Sequence, residues 1–389
     1  FRLGDKELAK QYAQKSLIGN CYNVTAYQIL HQICPCGEYL EKIDELDPLC
    51  HFADAERMLE GKMTAEQLAA SIKEEMVWQN YLEFAAFYHG LGLDCKAVKI
   101  LDACPADNAL IALWKAYFKG DKAAVADAEA KSIELVFPFR EESAYVLDWA
   151  LENGGTWRTR YLRAMLSDFL GNKQQAKELL AADDSDYAPY YAYRGLLAGC
   201  IDSMQKAYEM DPQQWRYCQH LALMYYRAGD YAKSAELSGK FYAKDKDNFH
   251  IGDTYVKSLI ALKQYKKADQ VMSKIRILPF EGQSGSHVMY RDIKLHLAAE
   301  AIDKGQYKTA AQRVAESRQW PKNLGVGKPY DDLIDNTLED WLDAVICQRI
   351  GQTQKAAEYM QKVAKRDPNG VWKNNFETVT KKVGSKYPQ

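Results

Sequence analysis

The sequence predicts an all-α fold in which antiparallel pairs of helices stack into a right-handed superhelical solenoid. Apolar residues recur three and four positions apart, which is the helical period, and long alternating runs typical of strands are missing. Gly and Pro, 23 and 11 of 389 residues, are sparse and fall between the helical stretches. A chain of this length needs several domains or one elongated array, and similar turns return along it, which favours an array of repeats.

The clearest repeat runs from Trp215 to Asn248. Its first helix carries Ala222 on the apolar face, residues 229–231 (Gly-Asp-Tyr) form a turn, and Ser234 lies on the apolar face of a second helix. This unit resembles the tetratricopeptide repeat, in which a small residue lets the paired helices approach closely and a Tyr after the turn fills the gap between neighbours.

The turn of this repeat returns along the chain. Residues 263–265 (Lys-Gln-Tyr) follow it after about 34 positions, the period of this repeat class. Residues 305–307 and 351–353 carry the same signals at longer spacing, which implies insertions before each first helix. Weaker copies stand upstream at Gly92, Gly120 and Gly171. We therefore predict degenerate repeats over residues 1–212 and better repeats with two inserted loops over residues 213–389, in one continuous solenoid that is best formed from Trp215 to Pro368.

The amino-acid composition restricts the classes of partner and the cellular compartment that we expect for this chain. Lys and Arg (51) nearly balance Asp and Glu (53) without a basic stripe, which argues against nucleic acid. No apolar run approaches the roughly 18 to 20 residues that cross a bilayer, so no membrane partner is expected. Nine cysteines without regular spacing favour a reducing compartment and hence the cytoplasm, with the periplasm as the alternative. The chain opens on Phe1, without a visible targeting segment, and we expect it to be a fragment.

Several stretches carry a resemblance to a known family: DPLCHFADAERML from Asp47, FPFREES from Phe137, ILPFEGQSGSHVMYRD from Ile277 and WPKNLGVGKPYD from Trp320. With the helix pair from Trp157, they resemble the C-terminal tetratricopeptide region of large bacterial proteins. The N-terminal part of those proteins is an uncharacterised β-sandwich domain similar to galactose-mutarotase-like and glycosidase-associated domains. The resemblance implies carbohydrate-related biology and supplies no catalytic residue.

The first inserted loop, residues 278–286, offers Phe280, Glu281 and the adjacent His287 as ligand or partner contacts. Ser286 is predicted to cap the helix that follows, whose free N–H groups could hold an anion. The alternative is a long connector in which Phe280 packs on a repeat.

The second inserted loop, residues 320–330, offers the candidate contacts Trp320, Asn323, Lys328 and Tyr330. Aromatic, amide and cationic groups suit a sugar or a neighbouring domain. The loop is no phosphate loop, because a proline follows the lysine and no strand precedes it. Because equivalent connections of stacked repeats emerge on one side, we expect the two loops to be neighbours at the functional end of the concave surface. The alternative is that they only cap the core.

The concave surface is predicted from the repeat register, because first helices line it. The residues that it should present are polar, aromatic and mildly basic: Arg158, Tyr161, Arg216, Gln219, Tyr226, Arg227, His250, Asp253, Lys257 and His296. This mixture suits a peptide segment, an acidic loop or a glycan. The alternative is a solvated face without a ligand.

No catalytic, metal or cofactor site is predicted. Cys34, Cys36, Cys50 and His51 have zinc-ligand chemistry but not the usual spacing. We therefore expect a non-enzymatic scaffold that binds a protein, its own N-terminal domain or a glycan. The alternative is an accessory region that contributes to the carbohydrate-binding site of a glycan-active protein, whose chemistry lies on an N-terminal part outside this chain.

Overall fold

The computed structural model describes residues 1–365 and Val379. In this part of the chain there are 22 α-helices, and the only extended pairing is an isolated parallel bridge between Asn108 and Ser132. The chain divides into two compact units, Phe1–Asp186 and a second unit that begins at Tyr187. The predicted all-α class is confirmed. The hand of the superhelix and the division of repeat quality after residue 212 stay predictions, and the expected end at Pro368 lies outside the described residues.

The first unit contains twelve helices. They are α1 (Lys6–Gly19), α2 (Val24–Ile33), α3 (Gly37–Leu46), α4 (Phe52–Leu59), α5 (Ala65–Ser71), α6 (Val77–Gly90), α7 (Asp94–Asp102), α8 (Ala109–Lys119), α9 (Ala124–Glu129), α10 (Glu142–Glu152), α11 (Trp157–Phe169) and α12 (Lys173–Leu179). Helix α1 begins directly after Asp5, whose side chain accepts a hydrogen bond from the Leu8 amide at 2.8 Å. Most successive helices pack on one another, and the core contains the fully buried rings of Phe52, Tyr88 and Trp114.

The second unit contains ten helices in the described residues. They are α13 (Ala188–Ala198), α14 (Ile201–Met210), α15 (Trp215–Arg227), α16 (Tyr231–Lys244), α17 (Phe249–Ala261), α18 (Tyr265–Met272), α19 (Gly285–Asp303), α20 (Tyr307–Ser317), α21 (Thr337–Arg349) and α22 (Thr353–Ala364). Two single 3-10 turns, Lys322–Leu324 and Asp331–Leu333, interrupt the connection between α20 and α21. Each first helix pairs with the helix after it, as in α15 with α16 and α19 with α20.

The predicted repeat register is confirmed at its turns. The second helices α16, α18, α20 and α22 begin at the four positions that the turn pattern indicated. The turn residues Gly229, Gly305 and Gly351 have φ of 83°, 69° and 79°, a left-handed conformation that glycine adopts without steric cost. Lys263 occupies the same position with φ of 58°, so this one turn forms without glycine.

Small residues bring the helices of neighbouring repeats together. The Ser234 hydroxyl, fully buried in α16, donates a hydrogen bond to the carbonyl of Ala222 at 2.7 Å and lies 2.8 Å from the Ser258 hydroxyl of α17. A Cβ on Gly252 would lie 2.6 Å from the Ile275 side chain, and one on Gly239 would lie 2.8 Å from the Tyr255 ring. Close approach at these positions is therefore part of the packing, as the repeat pattern predicts.

Candidate functional site

The two inserted loops lie against each other. The Ile277 amide donates to the Asn323 carbonyl at 2.8 Å, and the buried Ser286 hydroxyl donates to the Leu324 carbonyl at 2.8 Å. Gly325 has φ of 66°, and a Cβ there would lie 2.5 Å from the Ile277 carbonyl oxygen. The prediction that residues 278–286 and 320–330 are neighbours is confirmed. We call them the loop pair; that the loop pair is functional stays a prediction.

The predicted site residue Asn323 and the predicted helix cap Ser286 hold the loop pair in place. The Asn323 side-chain amide donates to the carbonyls of Met272 at 3.2 Å and Ile275 at 2.8 Å, so its Nδ2 donor is already used. The prediction that Ser286 caps α19 is wrong: the helix begins at Gly285 after Ser284, and Ser286 points to the second loop. Asn323 and Ser286 therefore stabilise the connection between the loops.

His287 and Trp320 form one packed unit. Their rings stack with centroids 3.4 Å apart and an angle of 6°, and the His287 Nε2 lies 3.0 Å from the Gln319 carbonyl, to which it donates. His287 is buried, with 7% of its surface exposed, and its assignment as a ligand or partner contact stays a prediction. Burial lowers the pKa of His287, and the nearby Arg291 guanidinium acts in the same direction. The ring therefore favours its neutral form.

A cavity of about 300 Å³ opens beside this stack. Its wall is mostly apolar, and it is lined by His287, Val288, Arg291, Leu295, Ser317, Arg318, Trp320, Pro329, Leu333, Ile334, Asp335, Asn336 and Leu338. The two guanidinium groups are compensated, because Arg291 pairs with the fully buried Glu339 at 2.5 Å and Arg318 pairs with Asp340 and Asp343. Uncharged, apolar groups are thus the best occupants of this cavity.

A second cavity, of about 230 Å³, brings together four predicted site residues. His250, Asp253 and Lys257 reach it from α17, and Phe280 reaches it from the first loop. Asp253 and Lys257 form an ion pair at 2.7 Å, while Phe280 keeps 60% of its surface exposed. Phe249, Ile277, Gln283, Gly285 and Ser286 complete the lining. We call this space the Phe280 cavity.

The surface of α15 continues the Phe280 cavity. The ring of Trp215 stacks on His250 with centroids 5.2 Å apart, and the Arg216 guanidinium lies 4.5 Å over the same indole. Helices α15 and α17 pack directly on each other, and their turns are 34 residues apart, so position 216 corresponds to 250 and position 219 to 253. We use the name groove for Arg216, Gln219, Tyr226 and Arg227 of α15 together with His250, Asp253 and Lys257 of α17.

The remaining predicted residues lie elsewhere. Arg158 and Tyr161 belong to the first unit, where Arg158 stacks on Trp157 and Tyr161 is buried, which corrects its assignment to an open surface. His296 is also buried and stacks on Tyr265 with centroids 4.3 Å apart, so it contributes to packing rather than to the groove.

At the tips of the loop pair, Tyr330 is 82% exposed and Glu281 is exposed. Lys328 pairs with Asp331 at 2.6 Å.

Sequence reasoning missed three apolar residues in this region, Leu278, Val288 and Leu333, which are 69%, 55% and 70% exposed. For Leu278 and Leu333, an apolar residue inside a long connection was the signal that could have found them, whereas Val288 lies in α19 and gave no such signal. Together with Phe280 and Tyr330, they concentrate exposed apolar surface around the loop pair, a property typical of interaction sites.

Sequence reasoning also missed a buried polar cluster in the first unit. His31 Nε2 lies 3.5 Å from Glu56 and 3.3 Å from Glu60, and the Lys96 ammonium lies 3.0 Å from Glu56. Burial opposes ionisation of Glu56, but hydrogen bonds from His31 and Tyr88 and the charge of Lys96 outweigh it and lower its pKa to about 2. Lys96 already neutralises Glu56, so we interpret the cluster as structural.

All nine cysteines have free thiols, including Cys34, Cys36 and Cys50 of the zinc hypothesis. None of the helices in the described residues is both long and apolar enough to span a bilayer.

Comparisons with known proteins give remote structural similarities. No protein-family model and no curated protein matches the chain. Among solved structures 94 chains match. A tetratricopeptide repeat protein from Parabacteroides merdae is 14% identical over 71% of this chain and 98% of that chain, with a TM-score of 0.32. Yeast Tom70 is 11% identical over 97% and 90%, with a TM-score of 0.29. The tetratricopeptide domain of P58(IPK) is 13% identical over 98% and 94%, with a TM-score of 0.21. These scores assign no family, and the fold class rests on the helix pairs themselves.

Proposed function

We propose that this chain is a non-enzymatic interaction module of a larger bacterial protein, which holds a protein segment against the groove and the loop pair. The partner is a separate protein or an N-terminal domain of the same polypeptide. The observation that carries the proposal is the Phe280 cavity, in which residues of α17 and of the first loop converge beside an exposed apolar side chain.

The chemistry of this region supports recognition. Exposed apolar side chains surround the loop pair, and burying them against a partner would be favourable by about 25 cal/mol per Å². The charged groups in the two cavities are largely committed to ion pairs, as in Arg291 with Glu339 and Lys257 with Asp253. Such groups orient a partner and are poorly suited to proton transfer.

A second candidate function is a contribution to the carbohydrate-binding site of a glycan-active protein whose chemistry lies on the N-terminal part. The stacked rings of Trp215 and His250 beside polar groove residues favour it, because an aromatic face with nearby polar groups suits a sugar ring. Trp320 supports this candidate less than its sequence position indicated, since its ring is stacked on His287.

Site-specific photo-crosslinking in the source cells tests the proposal. A photo-reactive residue is placed at Phe280 or at Val288, and a matched probe replaces Lys240, which is exposed on the second helix α16. We expect protein crosslinks from the first two positions and only background from the third. Equal crosslinking from all three would argue against the loop pair as the binding surface. Glycan-array binding that is lost in Phe280→Ala would favour the carbohydrate candidate.

A further inference from the structure

We infer that the partner segment is an extended acidic peptide with one apolar or aromatic side chain, which inserts into the Phe280 cavity while the acidic residues face α15. This inference rests on the proposed function and adds the chemistry of the partner.

The first observation is an excess of positive charge on α15. Arg216 and Arg227 are exposed, and neither forms an ion pair with any described residue. The Arg216 guanidinium makes one long hydrogen bond, 3.4 Å, to the Gln214 side chain. Burial and the charge of Arg227 lower the pKa of His220, so the imidazole between them favours its neutral form. Two guanidinium groups are thus free to bind carboxylates, for which their planar fork is well suited.

The second observation is that α17 does not compensate this charge. Of its groove residues, Asp253 is the only acid, and it pairs with Lys257 at 2.7 Å. The groove therefore carries a net positive charge from Arg216 and Arg227. An acidic segment complements that charge, whereas a basic segment would be repelled by it.

The third observation places the apolar residue of the peptide. The Phe280 cavity has apolar walls from Phe249, Ile277 and Phe280, and its volume of about 230 Å³ lies below the roughly 300 to 1,000 Å³ of small-molecule sites. That volume suits a single side chain. Glu281 is exposed in the same loop and forms no ion pair with a described residue, so a carboxylate at this end would be repelled.

The stacked rings of Trp215 and His250 indicate how the apolar residue and the acidic residues of the peptide follow one another along the surface. His250 lines the cavity, Trp215 stacks on His250, and Arg216 lies over Trp215, so these ring contacts connect the cavity to a cation that has no ion pair, whereas Lys257 in the cavity wall is paired with Asp253. Arg227 lies eleven residues further along α15, about 16 Å at the helical rise. The acidic residues should therefore begin beside the anchor and extend over several positions.

A random peptide library displayed on phage and selected on the whole chain tests this inference. We expect enriched peptides to contain an excess of Asp and Glu and a recurrent Phe, Leu or Trp at one end.

The best peptide, synthesised and titrated, should bind about tenfold more weakly to the double variant Arg216→Glu/Arg227→Glu than to the original chain, and its affinity should fall as the salt concentration is raised. The matched control is Lys233→Glu/Lys240→Glu on α16, which changes the net charge equally and should bind within about twofold of the original chain. Selection on Phe280→Ala should lose the apolar preference and keep the acidic one.

Other outcomes separate this inference from the proposed function. Enriched peptides without acidic excess, or binding that is unaffected by reversal of the two arginines, would overturn the inference and leave the interaction module intact. Selection of no peptide would overturn it as well, and crosslinking from Phe280 and Val288 would then decide the proposed function alone. Glycan binding at the Phe280 cavity in place of peptide binding would overturn both. Thermal melts of each variant confirm that a lost signal does not come from unfolding.

Discussion

Between α16 and α17 the chain connects two repeats with residues 245–248, whereas residues 273–284 connect α18 to α19 and residues 318–336 connect α20 to α21. The short connection is positioned by the helices on either side of it. The long connections are positioned by hydrogen bonds between residues far apart in sequence, as in Ser286 to Leu324 and Asn323 to Met272, which are separated by 38 and 51 residues. The regular repeats α15–α18 and the loop pair therefore depend on different contacts, and each can be perturbed separately.

The largest expected effect is on the loop pair. Gly325→Ala should lower the free energy of unfolding by about 3 kcal/mol, because alanine would adopt a left-handed φ and place its Cβ 2.5 Å from a backbone oxygen. Urea denaturation measures the loss, and hydrogen exchange should show it concentrated in residues 278–286 and 320–325. Gly327→Ala is the matched control, since its Cβ would meet open space at an ordinary φ. Equal effects of the two substitutions would contradict the close contact between the loops.

The next effect is on the repeats. Ala222→Leu should destabilise the protein by about 1 to 3 kcal/mol, because the fully buried Ala222 is packed between paired helices and the extra atoms have no space. Ala243→Leu, on the exposed face of α16, should be nearly neutral. The urea midpoints of the two variants check this, and an unchanged midpoint for Ala222→Leu would show that the repeat packing is looser than described.

A smaller effect should follow from removing one hydrogen-bonding side chain of the loop pair. Asn323→Ala leaves the carbonyls of Met272 and Ile275 without their donor, and we expect a loss of about 1 to 2 kcal/mol. Lys322→Ala, an exposed neighbour in the same 3-10 turn, should leave stability unchanged. Calorimetry distinguishes the two variants. If they behave alike, water replaces the Asn323 amide without cost, and the loops depend on backbone contacts alone.

The repeat register was predictable because it is encoded locally: turn residues and small residues at the helix contacts recur after about 34 positions, or at longer spacing where a loop is inserted. The same repeats predicted that the two inserted loops lie next to each other, because equivalent connections of stacked repeats emerge on one side. The orientation of individual side chains was not predictable. Tyr161, His287 and His296 look like exposed polar positions in sequence, but each is buried by packing contacts that helical periodicity does not show. For the same reason the sequence could not show that the Asn323 amide points inward.

The smallest effect should be a pH dependence that distinguishes the loop pair from the repeats. Burial and Arg291 lower the pKa of His287 below its ordinary value of 6.5, although the bond to the Gln319 carbonyl and the charge of Glu339 act in the opposite direction. The folded state thus favours neutral imidazole more than the unfolded state does. The contribution of neutral His287 to the stability of the folded state is complete above about pH 6.5 and is lost as the pH falls towards the lower folded-state pKa.

Hydrogen exchange at about pH 7.5 and about pH 5.5, corrected for intrinsic rates, should therefore show weaker protection of the loop pair at the lower pH. Protection in α17 and α18 should change less, and His287→Gln should remove the difference between the two regions. A pH response of the loop pair that persists in His287→Gln would assign it to another group.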